Sequence, residues 1–478
     1  MSERKTKIIC TLGPATESKE VQAQLIEAGM NIVRLNMSHA QHDWVRKMVA
    51  QIRALSESKG MQVGILMDTQ GPAIRTGDLP VKLDLKPGDI FTFTVLGAQC
   101  DEEYSVNVNY DGLVSDLNVD DVVIVDNGII RLQVIEKLTN RIRCRVLTEG
   151  QMGSRRHINL PGVRVNLPAL TEKDLADVAL GCELDVDYIA LSFCREPKDI
   201  VQLRQIVTSK GCNPRIIAKI EDQEAVRNLA GIIEEADAIM CARGDLGIEC
   251  LLEELPIIQR RIVKNSILRL KPVIVATHML ESMINSPSPT RAEITDVANA
   301  VYEQADALML SGETTTGRYP LACVEIMDRV ARRTERSGGV NYAEHAELLK
   351  PREKFLNSAI SLSNDLKASA IILFTVRGFY AGIASALRPH TTPIYAFTPH
   401  IDIARRLTLN RGVYPFVLEF NNNPEVNIQN AEKMLLAQKR IESGNYLVVV
   451  TDVLAQTNAD QNFAQDRLIE AIQMRVVQ

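Results

Sequence analysis

The feature that most constrains this chain is a rhythm. Eight short apolar runs recur along it, at 7–12, 31–37, 63–68, 187–193, 215–220, 238–243, 272–277 and 307–311. Most are followed by a segment of helical periodicity. Runs that are apolar throughout, without alternation, read as strands buried on both faces, the habit of parallel sheets. The helical segments have recognisable ends. The segment 18–28 stops at Gly29, 44–56 precedes Gly60, and Thr171-Glu-Lys-Asp174 opens another as a capping box. Eight such units fit a closed (β/α)8 TIM barrel of the α/β class, which takes about 250 residues in the usual case. The rival is an open doubly wound sheet, but no Gly-x-Gly-x-x-Gly follows the first strand.

One interval breaks the rhythm. About a hundred residues separate Asp68 from Thr171, where a short βα loop would suffice. They are β-rich, with strands expected at 81–85, 90–95, 122–125, 129–137 and 141–147 around Lys86-Pro-Gly-Asp89, Asp126-Asn-Gly128 and Thr139-Asn140. An inserted β domain directly after a barrel strand is placed to act as a lid. Past the eighth strand, a helical stretch to about residue 336 leads into Ser337-Gly-Gly339. A second alternating region follows, with strands expected at 370–375, 393–397, 414–420, 446–450 and 472–477. The expected division is a barrel from 1–69 and 164–338, a lid from 70–163, and a C-terminal α/β domain from 339–478.

Composition narrows the partners. A formal net charge of −6 offers no broad basic field, so nucleic acid is not an expected partner. No apolar run approaches membrane-spanning length, and residues 1–7 lead into too short an apolar stretch for a signal peptide. The nine cysteines are scattered, with no Cys-x-x-Cys pair, and read as buried thiols in a reducing compartment. The expectation is a cytoplasmic protein.

The barrel reading also predicts where chemistry gathers: at the C-terminal ends of the strands. Those ends carry Thr11; Arg34, Asn36 and Ser38; Asp68 and Thr69; Ser192; Lys219 and Glu221; Arg243 and Asp245; Thr277 and His278; then Ser311 and Glu313. Alternation along a strand puts Lys219 beside Glu221, and Arg243 beside Asp245, on one face. Charges at the end of a buried strand need a counter-charge, a metal or a ligand. Glu221 and Asp245, with no His or Cys beside them, suit Mg²⁺ or Mn²⁺. Lys219 and Arg34 favour a phosphorylated or carboxylated anion. Phosphoryl transfer under a closing lid needs this set, and enolisation beside a carboxylate needs a similar one.

Eight motifs in order resemble one family. They are Thr6-Lys-Ile-Ile-Cys-Thr-Leu-Gly-Pro14, Val33-Arg-Leu-Asn-Met-Ser-His39, Asp68-Thr-Gln-Gly-Pro-Ala-Ile-Arg-Thr-Gly77 and Ala218-Lys-Ile-Glu221. Ala242-Arg-Gly-Asp-Leu-Gly247, Ala276-Thr-His-Met-Leu-Glu-Ser-Met283, Pro289-Thr-Arg-Ala-Glu293 and Met309-Leu-Ser-Gly-Glu-Thr314 complete them. The family they resemble is pyruvate kinase. The resemblance implies phosphoryl transfer from phosphoenolpyruvate to ADP, giving pyruvate and ATP in glycolysis. It implies that Lys219 stabilises the moving phosphoryl group and Arg34 contacts it. Glu221 and Asp245 would hold the divalent metal, Gly244 and Asp245 would cradle the substrate carboxylate, and Thr277 would sit by the carbon that gains a proton. Asn36, Ser38, Asp68 and Thr69 would coordinate K⁺. Arg75, His39 and Arg156 would contact the nucleotide phosphates, with Asn36 nearby. A homotetramer is implied too, using the helix opened by the Thr290/Glu293 capping box.

The sequence departs from the family in places. Gln70 stands where Lys is commoner, and Ala73 where potassium-dependent members have Glu and independent ones Lys. His278 replaces a Gln, and His157 a Gly. Thr375-Val-Arg-Gly-Phe-Tyr380 keeps two residues of the phosphate loop found in sugar-phosphate-activated members but loses two hydroxyls, and the tail 456–462 lacks their Gly-rich loop. Two other readings are a metal-dependent lyase acting on a pyruvate-like enolate and a non-catalytic regulatory relative. The basic nucleotide residues and the lid count against the first, and the intact Lys219/Glu221/Asp245 set against the second.

Overall fold

The computed structural model describes residues 4–98, 102, 104–126, 128–454 and 468–478. Its first sheet is a closed barrel of eight parallel strands, Lys7–Thr11, Ile32–Asn36, Gly64–Asp68, Tyr188–Leu191, Arg215–Ile220, Ala238–Ala242, Val273–Ala276 and Ala307–Leu310. Each pairs with the next in chain order, and the last pairs with the first. Helices between them wrap the outside. Ser18 caps Lys19–Ala28, and the Thr171/Asp174 capping box opens Glu172–Glu183. Side chains of alternate parity fill two cores. One lies between strands and helices, and the other, with Ile9, Ile32, Leu66, Tyr188, Ile217 and Met240, fills the barrel itself. This alternation places the site. Two residues beyond Ile32, Leu66 and Ile217 on the same inward face stand Arg34, Asp68 and Lys219.

The lid is a seven-stranded sheet in the order Ile74–Arg75, His157–Asn159, Val122–Val125, Ile130–Lys137, Arg141–Val146, Ile90–Val95 and Ser105–Val108. A bridge from Thr76 to Val108 brings its two ends together, and Phe91, Phe93, Leu132 and Ile142 fill it. A small two-stranded antiparallel sheet of Leu83–Leu85 with Gly150–Met152 lies alongside. Asn127, in the expected turn at 126–128, and the tail 456–462 lie outside the described residues.

The C-terminal sheet has five strands, in the order Val413–Val417, Ile394–Thr398, Ala370–Phe374, Tyr446–Leu454 and Leu468–Val476, with the last pair antiparallel. This unit stoppers the lower end of the barrel. Leu409 joins the barrel's inner core, and Arg388 donates to both oxygens of Asp306 at 2.9 and 2.6 Å, both residues buried. Its Thr375–Tyr380 segment turns through Gly378 (φ 78°), whose N–H donates to Thr375 Oγ1, and Tyr380 folds inward to Glu470.

Two expectations fail. Arg243 and Asp245 do not share a strand face, because the strand ends at Ala242 and both enter the helix Arg243–Glu249. Arg243 turns away, buried, and donates to the Thr277 carbonyl (2.6 Å) and to Asp296 (2.7 Å). Nor are all described cysteines free thiols: Cys182 and Cys212 are joined by a disulfide, Cα–Cα 5.5 Å. They stand 30 residues apart, Cys182 near the end of the helix Glu172–Glu183 and Cys212 just past the helix Pro197–Ser209, so no short motif announces them. No helix among the described residues is long and apolar enough to cross a membrane.

Candidate active site

The centre of the barrel mouth is an ionic network. The Asp68 carboxylate, fully buried, receives Arg34 Nε at 2.7 Å on one oxygen, and Lys219 Nζ at 3.2 Å and Ser192 Oγ at 3.3 Å on the other. Lys219 Nζ also lies 2.9 Å from Glu221 Oε1 and donates to Ser192 Oγ at 2.6 Å. The second Glu221 oxygen accepts the Phe193 N–H at 2.6 Å.

Burial alone would lower the Lys219 ammonium, but Asp68 and Glu221 reverse this and hold it above the usual lysine range. Burial likewise works to raise Asp68, and the charges of Lys219 and Arg34 overcome it, leaving the carboxyl below its ordinary value. Glu221 goes the other way. Burial raises it, Lys219 opposes, and the nearby Asp245 charge adds to the rise. With Asp245 half-buried on the first turn of Arg243–Glu249, three carboxylates face two fixed cations, an imbalance that favours a bound cation.

Glu221 and Asp245 fit a divalent metal by the chemistry of their donors. Both are hard oxygens, and among the described residues no cluster of three or more His, Cys, Asp or Glu is gathered for one. A pair of carboxylates suits Mg²⁺, which keeps much of its coordination sphere for waters and anions from outside the protein.

Thr277 closes one side with φ 68°, a conformation costly for a β-branched residue, and His278 follows at 53°. Its hydroxyl accepts the Gly244 N–H at 2.6 Å and donates to the Ala276 carbonyl at 2.6 Å. The strained turn is thus tied to the helix that bears Asp245. The Gly244 N–H expected at a substrate carboxylate is spent on Thr277.

The four residues expected at K⁺ lie on two adjacent strand ends, with Asn36 in register with Asp68. Asn36 Oδ1 accepts the Ser38 N–H at 3.2 Å, and Thr69 Oγ1 donates to the Ala190 carbonyl at 3.1 Å. In the lid, Arg75 pairs in register with His157, and the Arg156 N–H donates to Thr76 Oγ1 at 2.7 Å, which brings the two arginines together. Arg156 Nη1 reaches Asp126 at 3.2 Å. His39 stands exposed on the barrel side, on a separate element.

Three neighbours escape a reading of the sequence. Phe193, with φ 51°, turns its N–H onto Glu221. His157 packs its ring 6.1 Å from that of Phe193; burial lowers its imidazole, the Asp245 charge works against this, and Arg75 adds to the lowering. Glu249 lies buried at the far end of the helix that carries Asp245. The position of His157 beside a basic lid motif was the one available signal; nothing local distinguishes Phe193 or Glu249.

A (β/α)8 barrel with a β lid over a Lys/Glu/Asp mouth and a stoppering α/β domain defines a class of phosphoryl-transfer enzyme. Residues 3–324 match the family described as pyruvate kinase, barrel domain, and residues 353–465 match pyruvate kinase, alpha/beta domain. The chain belongs to the pyruvate kinase family. It is 40% identical over 94% of its length to pyruvate kinase isozyme G, chloroplastic, of Nicotiana tabacum, covering 80% of that protein. It is 37% identical to the pyruvate kinase of Clostridium acetobutylicum over 98% of this chain and 100% of that one. The crystal structure of a pyruvate kinase from Cryptosporidium parvum superposes with a TM-score of 0.92 at 34% identity, covering 99% of this chain and 96% of that one.

Proposed function

We propose that this chain transfers the phosphoryl group of phosphoenolpyruvate to ADP, yielding pyruvate and ATP, the last energy-yielding step of glycolysis. The observation that carries the reading is the Arg34–Asp68–Lys219–Glu221 network, which keeps a buried ammonium charged at the mouth beneath the lid arginines. Lys219 meets the phosphoryl group as it leaves the enolate oxygen, and Arg34 holds the same group from the strand Ile32–Asn36. Such preorganised charge acts on the transition state without reorganising. Glu221 and Asp245 would hold Mg²⁺ or Mn²⁺, which when bound would supply positive charge to neutralise the reacting anion. The first turn of Arg243–Glu249 receives the substrate carboxylate at the Asp245 backbone, with Gly244 joining once its N–H turns from Thr277 Oγ1. Thr277 sits beside the enolate carbon that accepts the proton. Arg75 and Arg156, with Asn36 and His39, contact ADP phosphates, and the lid excludes water.

In this reading Asn36, Ser38, Asp68 and Thr69 bind K⁺, the protein is a cytoplasmic homotetramer, and the units divide at residues 69/70, 163/164 and 338/339. The test is an assay of pyruvate and ATP formation from phosphoenolpyruvate, ADP and Mg²⁺. Absence of ATP at saturating substrate and metal would overturn the reading. A monomeric mass at micromolar concentration would overturn the tetramer.

A further inference from the structure

Among the polar contacts that tie the lid to the barrel, one is buried and lies apart from Lys219, Glu221 and Asp245. Asn159 ends the strand His157–Asn159, three residues beyond Arg156, and its Nδ2 donates to Glu249 Oε1 at 3.0 Å. Asn159 is 4% exposed and Glu249 8%. Glu249 is the last residue of the helix Arg243–Glu249, whose first turn holds Gly244 and Asp245. Its own carbonyl accepts Gln223 Nε2 at 2.6 Å, which fixes the helix end to the segment after Glu221. A cavity of about 100 Å³ beside the contact, lined by His157, Phe193 and Asp222 among others, lies between lid and barrel. Among the described residues Asn159 Oδ1 has no hydrogen-bond partner, and the side chain is held through its Nδ2 bond to Glu249.

We propose that Glu249 is a positioning residue: through Asn159 it sets the register between the lid strand bearing Arg156 and the helix bearing Asp245, and so aligns the nucleotide phosphates with the barrel chemistry. The proposal rests on the assignment of Arg75 and Arg156 to ADP. A bond between a carboxylate and an amide is directional, and misplacement of a positioning strand by an ångström costs rate far from the contact itself. Glu249 is not among the residues assigned to substrate or metal.

The test separates positioning from mere structure. Glu249→Gln keeps an acceptor for Asn159, and its KM for ADP should stay within about twofold of the parent. Glu249→Leu should raise the KM for ADP about tenfold, leave the KM for phosphoenolpyruvate within about twofold, and leave proton exchange of pyruvate in the barrel nearly intact. Since Glu249→Leu strands a buried amide and threatens folding, the double variant Asn159→Leu/Glu249→Leu, which makes the contact apolar, serves as the folded test and should show the same ADP-selective defect. Arg156→Ala, run in parallel, reports on the underlying assignment. If it raises the KM for ADP while both leucine variants leave that KM unchanged, the positioning role is wrong. Equal losses for both substrates, or failure of Glu249→Gln to rescue, would also overturn it. If Arg156→Ala leaves the KM for ADP unchanged, the assignment of the lid arginines fails instead.

Discussion

Replacing Lys219 by Met tests the centre of the site. Methionine matches the length of the lysine stem, so the change removes a charge with little change of packing. Lys219 Nζ stands 3.2 Å from Asp68 and 2.9 Å from Glu221, which fixes its position to a few tenths of an ångström. At such separations and an effective dielectric of about 20, one charge pair is worth about 5 kcal/mol. If half to all of that acts selectively on the transferring phosphoryl group, turnover should fall between about a hundredfold and several thousandfold. The variant also leaves Asp68 with Arg34 as its single cation and Glu221 with none, at a stability cost of about 3–5 kcal/mol. Pyruvate formation would be followed spectrophotometrically, folding by thermal melting, and exchange of pyruvate methyl protons into D₂O by NMR. Exchange should fall much less than transfer, because enolate stabilisation belongs to the groups around Glu221 and Asp245. Equal loss of both activities in a folded variant would show that Lys219 is structural and refute the reasoning.

Burial, reinforced by the charges of Asp222 and Asp245 against the Asn159 bond, pushes the Glu249 carboxyl up to about 7. A raised carboxyl keeps its proton in the folded chain while the unfolded chain has lost it, so stability should fall as pH rises from about 4.5 to about 7, by roughly 3 kcal/mol from this group. Glu249→Gln should flatten that part of the curve in denaturant titrations, and an unchanged slope would exclude the group. Activity should rise severalfold when K⁺ replaces a bulky organic cation at constant ionic strength, and Ala73→Lys should weaken the response; an equal rate in both salts would point to an ion-independent site. Arg388→Leu should lower the melting temperature by removing the partner of buried Asp306, at about 3–5 kcal/mol, and a shift under a degree would show that Asp306 is satisfied by its backbone donors.

The barrel was legible because its strands are buried on both faces, so the eight apolar runs mark them without ambiguity; each lies within about two residues of expectation. The strand ends followed, since parity alone puts Lys219 and Glu221 on one side. The same parity argument misplaced Arg243, because a helix that starts directly at the strand end resets the period from two to 3.6. In the lid, Ser105–Val108 and His157–Asn159 are short strands whose pairing is long-range, and three or four residues of mixed polarity carry no period of their own. The contacts made by Asp68 and Glu249 are likewise set by residues distant in the chain, so neither the buried ionic network nor the lid contact has a local signature.

The stopper at the lower end of the barrel has a consequence for the order of assembly. Arg388 reaches back 82 residues to Asp306, and Leu409 completes a core whose other members nearly all lie on the eight strands. During synthesis those strands emerge well before their closing piece. Until it arrives, Asp306 has no guanidinium and the bottom layer of the barrel lies open to water. A nascent barrel in that condition is a sticky, half-finished object, so the chain's vulnerable interval lasts until its third unit leaves the ribosome, and truncation inside that unit would prolong the interval indefinitely.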